Sequence, residues 1–337
     1  MDPITQGVLG TNAAQLVANR RDKIEAAVVG FLAGLAPDLD VLVRSTDDPL
    51  LALEYHRHFT HALIFIPVGA LIVALAYSLI KYRTVVASRF KQIYLFAFAG
   101  YATHALLDAC TTYGTQLFWP FSDIRIAWNN VSVVDPLFTL PLLALTILSI
   151  MRRSTLIAGI GMGYALGYLA FGFIQEDRAK EIAASLAQSR KHQAIGLGVK
   201  PSFANLLVWK SVYEHNGKYY VDAIRIGFDH KIYTGTSTEK LVVAKQFPWL
   251  SADSQQARDI ERFRWFSADH LGVDPDNGNR VIDIRYSLIP NQLTGMWGIV
   301  LDPQASDEAH VDFTTNRPGR DDAPQAIAEL WSMILGR

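Results

Sequence analysis

The sequence predicts a polytopic α-helical membrane domain of five or six helices followed by an extramembrane β-rich α+β domain. Three observations predict it. Half of the 337 residues are hydrophobic and the mean hydropathy is positive, high for a soluble chain of this length. The excess lies almost wholly before residue 175. Beyond it, short apolar runs broken by turn residues replace the long apolar stretches. The expected division is a membrane-embedded domain over 1–174, a helical stalk over 175–200 and an extracytoplasmic β-rich domain over 201–337.

The elements follow in order. Ile4 to Ala18 is short and holds Gln6, Thr11, Asn12 and Gln15, so it reads as a half-buried or re-entrant helix packed on others. Ala62 to Ile80 is 19 residues without a charge and Thr155 to Ile174 is 20, each long enough to cross about 30 Å of hydrocarbon. Ala26 to Val43, Ile93 to Ala109 and Val133 to Ile150 are further spans that carry acids or a histidine near one end. Gln175 to Gln193 has helical periodicity and reads as a stalk. Strand-like runs come next: LLVWKSVYEHNGKYYVDAIRIGF, turned at Asn216-Gly217, then KIYTG, EKLVVAK, RVIDIRYSLI and MWGIVLD, with a helix near Asp253 to Phe266. His215, His230, His270 and His310 are dispersed and read as surface residues.

The distribution of Lys and Arg in short loops sets the expected orientation. Arg20, Arg21 and Lys23, then Lys81, Arg83, Arg89 and Lys91, then Arg152 and Arg153 form three clusters that alternation puts on the cytoplasmic side. Residues 44–61, 110–132 and everything after 174 then face outward. The net charge of -1 gives no basic surplus for nucleic acid. The single Cys110 excludes an internal disulfide, and the opening MDPITQGVLG lacks the basic start of a cleavable signal peptide.

Within this frame the ionisable residues fall together. Asp38 and Asp40 lie at the outer end of one span, His56, Arg57, His58 and His61 just before the next, His104 and Asp108 at the outer end of the third, and Asp135 at the outer start of the fourth. Ionisable groups in apolar segments are expensive unless paired, and a bound metal ion supplies that pairing. His104 and Asp108, spaced i, i+4, share one helix face. HRHFTH offers neutral nitrogen ligands suited to zinc, iron or manganese. Asp38 and Asp40 offer oxygens after a helix-breaking Pro37 and are able to bridge two metals.

Blander readings stand beside these. Asp38, Asp40 or Asp135 can cap a helix, the last with Pro136 at the first helical position. His58 can be a solvated loop residue. Arg57 and Arg125 can be interfacial anchors, and Trp119 and Trp128 belt aromatics. Cys110 reads as a packing residue, with no activating base adjoining it in sequence.

On MDPITQGVLG, GLAPDLD at 34–40, HRHFTH at 56–61 and THALLDACTTYGTQLFWPFS at 103–122 followed by VVDP, the chain resembles the YdjM-like family of inner-membrane proteins. That resemblance implies a divalent metal, zinc or manganese, one ion or two, and hydrolysis, with a bacterial inner-membrane location. Where the family usually reads Thr-His near the start, this chain has Thr5-Gln6, losing a ligand candidate; His58 stands where a small residue commonly follows His-Arg. Asp38, Asp40, His56, His61, His104 and Asp108 are the expected ligands or ligand partners, with His58 and Asp2 as further candidates. Asp40 or Asp135 is the expected general base, and Arg57 and Arg125 the expected holders of a phosphate oxygen. The expected substrate is a phospholipid or lipid-linked phosphoester at the outer face, with an amide bond in a membrane substrate left open. A metal-ion transporter and a noncatalytic scaffold are the rival classes, and the partner of the C-terminal domain is open.

Overall fold

The computed structural model describes residues 1–83, 89–316 and 323–337. The chain divides into one unit of Met1–Val43, Tyr55–Phe173 and Phe203–Asn205 and another of Arg44–Glu54, Ile174–Ser202 and Leu206–Arg337.

The first unit is helical. Helix α1 (Pro3–Val17) starts with proline at a position needing no N–H and with Asp2 accepting from Thr5 N at 3.0 Å. Helix α2 (Lys23–Leu35) stops before Pro37, and residues Ala36–Leu42 tighten into a 3-10 turn. The span expected over Ala26–Val43 is therefore a helix of 13 residues, about 20 Å long and too short to cross the hydrocarbon unaided. Past α3 (Leu51–Tyr55), of which only Tyr55 belongs to this unit, the 3-10 turns Phe59–His61 and Leu63–Phe65 lead into α4 (Ile66–Tyr82). Helices α5 (Phe90–Cys110), α6 (Pro136–Arg152) and α7 (Thr155–Ser189) follow. Leu63–Tyr82, Phe90–Cys110 and Thr155–Ser189 are long and apolar enough to cross a membrane, and α6 is a shorter apolar helix.

Small residues let α1, α2 and α5 touch backbone to backbone. A Cβ on Gly34 would lie 2.6 Å from the Gln6 carbonyl oxygen, one on Gly30 2.6 Å from that of Gly10, and one on Gly100 2.6 Å from that of Gly30. Such seams replace the hydrophobic drive that lipid removes. At one end of the bundle Glu25 pairs with Lys81 at 2.9 Å and with Arg89 at 3.1 Å. Lys23 donates to Thr155 Oγ1 at 2.9 Å. It is fully buried at the start of α2 rather than a free loop cation. These contacts gather the three basic clusters at the Phe90 end of α5, about 31 Å along the axis from its Cys110 end.

The second unit is the antiparallel β-rich domain. β1 (Ile195–Pro201), β2 (Val208–His215), β3 (Lys218–Ile226) and β4 (His230–Tyr233) form one sheet in that order, with β5 (Ser237–Glu239) also on β3. The β2–β3 hairpin turns at Asn216-Gly217, both at positive φ, as that pair favours. β6 (Leu271–Asp274), β7 (Asn277–Asp283), β8 (Trp297–Val300) and β9 (Asp312–Thr315) make a second sheet. Helices α8 (Val243–Gln246), α9 (Gln255–Phe266) and α10 (Ala323–Ile334) complete it.

Three expectations are corrected. The stalk over 175–200 is helical only to Ser189, and 195–201 is already strand β1. Its helix is packed, with Ala179, Ala183 and Ala187 buried and Arg190 forked onto Asp222 at 2.6 and 2.8 Å. EKLVVAK is no strand, since only Glu239 belongs to β5 and Val243 opens α8. Hydropathy also gave no sign that Arg44–Glu54 belongs with the second unit. There Arg262 holds Asp48 at 2.8 and 3.0 Å, Glu54 at 2.6 Å and Asp259 at 2.9 Å.

Candidate metal site

Four side chains from three segments converge near the Cys110 end of α5. Asp38, His61, His104 and Asp108 each offer a ligand atom, and these atoms lie within 4.8 Å of one another. Asp38 sits in the 3-10 turn that Pro37 starts, His61 in the turn before α4, and His104 and Asp108 one turn apart on α5. His61 Nε2 and His104 Nε2 are 3.0 Å apart. Asp38 Oδ1 lies 3.6 and 3.3 Å from those two nitrogens, and Asp108 Oδ2 lies 3.3 and 3.7 Å from them. A regular four-coordinate site with bonds of about 2.0–2.1 Å has ligand-to-ligand edges of about 3.3–3.4 Å.

The outer partners orient the rings for that role. His104 Nδ1 lies 2.6 Å from the Gly34 carbonyl, which can only accept, so Nδ1 carries the proton and Nε2 is the lone-pair nitrogen. His61 Nδ1 lies 3.3 Å from Asp40 Oδ2 and 3.0 Å from Thr60 Oγ1, which leaves its Nε2 facing the cluster. Gln6 Oε1 is a buried acceptor with no hydrogen-bond donor among the described residues, which is costly. Asp108 Oδ2 already meets the Arg57 guanidinium at 2.9 Å and His61 Nε2 at 3.3 Å, so the donor set of two imidazoles and two carboxylates is what fits a cation here. Burial alone would lower the His61 imidazole, but Asp108, Asp38 and Asp40 outweigh it and raise it to about 10. Without a metal, the cluster's carboxylates hold a proton on that ring.

A second group, Asp38, Asp40 and His56, shares Asp38 with the first. His56 Nδ1 is 2.9 Å from Asp40 Oδ1, while Asp40 Oδ2 accepts from Arg57 N at 2.8 Å and Thr60 Oγ1 at 3.2 Å. His61, His104, Asp40 and Asp108 are sealed, whereas the side chains of Asp38 and His56 keep 22% and 25% of their surface. The cluster therefore opens on the Asp38 and His56 side.

The other sequence candidates take different positions. Arg57 is buried at positive φ, with Nε 2.9 Å from Asp108 Oδ2 and Nη1 donating to Thr111 Oγ1 at 2.8 Å, so its charge is turned inward. Arg125 Nη2 donates to the Tyr113 and Gly114 carbonyls at 3.1 and 3.3 Å. Both guanidinium carbons lie over the Tyr113 ring, at 4.9 Å for Arg57 and 4.7 Å for Arg125. His58 stays outside both groups, its ring 5.2 Å from that of Trp119 and 5.5 Å from that of Tyr55. Burial lowers its pKa. Asp135 caps α6 through Leu137 N and Phe138 N and accepts from Tyr168 on both oxygens. Asp2 caps α1. Neither acid belongs to a metal-competent group among the described residues.

Gln6, read from the sequence only as a lost ligand, sits at the cluster. Its Nε2 donates to Asp108 Oδ1 at 2.8 Å and to the His104 carbonyl at 3.3 Å. The same carboxylate oxygen takes the Met1 amino group. The available signal was the row of polar residues Gln6, Thr11, Asn12 and Gln15 in one short membrane-domain helix.

Comparison with known proteins places the chain. The family model described as YdjM inner membrane protein matches residues 1–179. The uncharacterized protein YfhP of Bacillus subtilis (strain 168) is 27% identical over 112 residues, covering 33% of each chain. This chain thus spans about a third of that relative's length. No solved structure matches.

Proposed function

From the premise that this chain belongs to the YdjM inner membrane protein family, we propose that it is a metal-dependent hydrolase of a membrane phosphoester, a phospholipid or a lipid-linked phosphate. The observation that carries the reading is the paired presentation of His61 Nε2 and His104 Nε2. Their opposite ring nitrogens face Asp40 and Gly34, and Asp38 and Asp108 lie within 3.7 Å. Two imidazoles and two carboxylates suit zinc or manganese. Asp38, His61, His104 and Asp108 would hold the ion, and Asp40 and His56, hydrogen-bonded to each other at 2.9 Å, would stay off it. When bound, the metal supplies Lewis acidity and a water acidic enough to attack near neutral pH.

The chain's own groups do the rest. His56 uses Nδ1 on Asp40, so its Nε2 is the nitrogen left to take the attacking water's proton, with Asp40 stabilising the imidazolium. Arg57 holds Asp108 and the Thr111 hydroxyl in place, which makes it a positioning residue. Arg125, stacked on Tyr113, is the better fork for a phosphate oxygen. Asp135 is occupied in capping and leaves the base to the Asp40 and His56 pair.

Metal content of detergent-purified protein tests this, comparing the unsubstituted chain with His104→Ala and Asp108→Ala and assaying each against lipid phosphoesters. The expected result is near-stoichiometric metal in the first, loss in both variants, and turnover only with metal. Metal without turnover on any lipid phosphoester would leave a scaffold or transporter. No metal after reconstitution with zinc and manganese would end the hydrolase reading.

A further inference from the structure

A short hairpin stands beside the cluster and has no part in it. Thr115 and Ile126 exchange both backbone hydrogen bonds, at 2.8 and 2.9 Å. The loop they close is tied at its base to the ends of two membrane-competent helices. The Leu117 carbonyl accepts from Leu63 N at 2.9 Å, where the first begins, and the Ala109 carbonyl accepts from Trp128 N at 2.7 Å, where the second ends. Gln116 N donates to the Arg57 carbonyl at 3.1 Å, linking the same base to the site segment.

The tip turns apolar side chains outward. Phe121 keeps 80% of its surface, Ile124 61% and Phe118 51%. Close by in sequence to the site segments, Leu39, Leu42 and Ile64 are exposed too, at 62%, 74% and 54%. Aromatic residues crowded at such a rim in water would be a liability. At the boundary between headgroups and acyl chains they are anchors, and the accompanying Trp119, Trp128 and Arg125 are residue types enriched there. Asp123, exposed between Phe121 and Arg125, limits the depth, because a carboxylate does not enter hydrocarbon cheaply.

We propose that the hairpin 115–126 is a membrane-anchoring wedge. Phe118, Phe121 and Ile124 seat at the acyl boundary of the leaflet on the site's side, and Asp123 stays in water. The occupant of this surface is the lipid bilayer itself. The bonds to Leu63 and Ala109 fix the hairpin to the level where those helices leave the hydrocarbon. One consequence is that the stack of Arg125, within the hairpin, and Arg57, from the site segment, on the Tyr113 ring lies at headgroup depth. The wedge does not depend on the hydrolase reading, since it concerns membrane contact alone.

Spin labels test the depth. Cys110 is buried and is the sole cysteine, so Phe121→Cys, Asp123→Cys and Ile124→Cys are labelled singly in the full chain in nanodiscs of phosphatidylethanolamine and phosphatidylglycerol. Their collisions with oxygen and with an aqueous nickel chelate are compared with Ile72→Cys on the Leu63–Tyr82 helix and Asp229→Cys in the β-rich unit. The expected pattern is oxygen-favoured collisions at 121 and 124, like 72, and chelate-favoured ones at 123, like 229. Chelate access at all three positions would overturn the wedge, and protection from both reagents would replace lipid by a protein partner. Tryptophan quenching by brominated lipid in the chain with no cysteine introduced gives a second reading. Quenching that falls in Trp128→Phe is expected, and its absence counts against the wedge.

Discussion

Gln6 shows how one side chain decides the chemistry around it. Its amide nitrogen is on Asp108 and its oxygen is a buried acceptor without a donor. Removing it in Gln6→Ala frees an oxygen of Asp108 to rotate, and partners of this kind are worth about 10–100-fold in metal affinity. The expected outcome is weaker metal retention at unchanged expression, measured by competition with a chelator; Gln6→His, which restores a ligand nitrogen, is expected to hold metal at least as tightly as the unsubstituted chain. Lys210 makes a different point in the second unit. It is buried, donates to Ser287 Oγ and the Gln292 carbonyl at 2.8 Å each, and burial lowers it from 10.5 to about 7. The unfolded chain therefore binds a proton that the folded chain lacks between about pH 7 and 10.5, and stability contributed through this group rises with pH across that window. The melting temperature of Lys210→Met relative to the unsubstituted chain is expected to be most favourable near pH 6 and to fall by pH 9; a difference that does not change with pH would refute the assignment.

Helices and turns carry the site through contacts between segments, and those contacts separate what was legible from what was not. The i, i+4 spacing of His104 and Asp108 and the break at Pro37 are local, so apolar patterning and proline chemistry expose them. The reach of Gln6 to Asp108, of Gly34 to His104 and of Arg262 to Asp48 depends on which elements pack together, which no local window records. EKLVVAK failed for the related reason that a short apolar run is ambiguous between strand and helix. Asp135 read correctly as an N-cap by its Pro136, although the same residue also served as a base candidate. The glycine seam gives the element-scale test. Gly34→Ala would force a Cβ to 2.6 Å from the Gln6 carbonyl and disturb the carbonyl that fixes His104, at a cost of about 1–3 kcal/mol. A lower melting temperature in detergent and loss of metal are expected. Gly163→Ala on α7, with nothing within 4 Å, is the silent control. In the second unit, Arg262→Ala leaves the buried Asp259 and two further acids without their shared cation, at about 1.5–3 kcal/mol. Faster protease cleavage within residues 44–54 is the expected sign, while Arg264→Ala, on a more exposed pair, leaves that segment protected.

At the scale of the molecule, the distribution of charge sets the expected orientation. Arg20, Arg21, Lys81, Arg83, Arg89, Lys91, Arg152 and Arg153 make eight cations in the three loops at the Phe90 end of α5, and the loops 44–61 and 110–132, expected on the other side, hold only Arg44, Arg57 and Arg125. Lys23, being buried, is already left out of the first set, and Arg57, turned onto Asp108, drops out of the second. The asymmetry survives. It is also tied together by structure, because Arg89 bonds Asp22 and Glu25 and Lys23 reaches Thr155, so the three clusters cannot be divided between two faces. Cationic loops stay in the cytoplasm, so the expected side for the His and Asp cluster, and for the chain after residue 174, is the outer one. Alkaline phosphatase, active only after export, is expected to be active when fused after Arg337 and inactive when fused to the chain truncated after Arg153. Green fluorescent protein at the same junctions should give the opposite pattern. Replacing Arg152 and Arg153 by Asn should weaken the bias without reversing it, because the other two clusters remain. A phosphatase fusion at Arg337 that stays inactive while its fluorescent counterpart glows would place the cluster in the cytoplasmic leaflet and move the lipid substrate sought for it to that side.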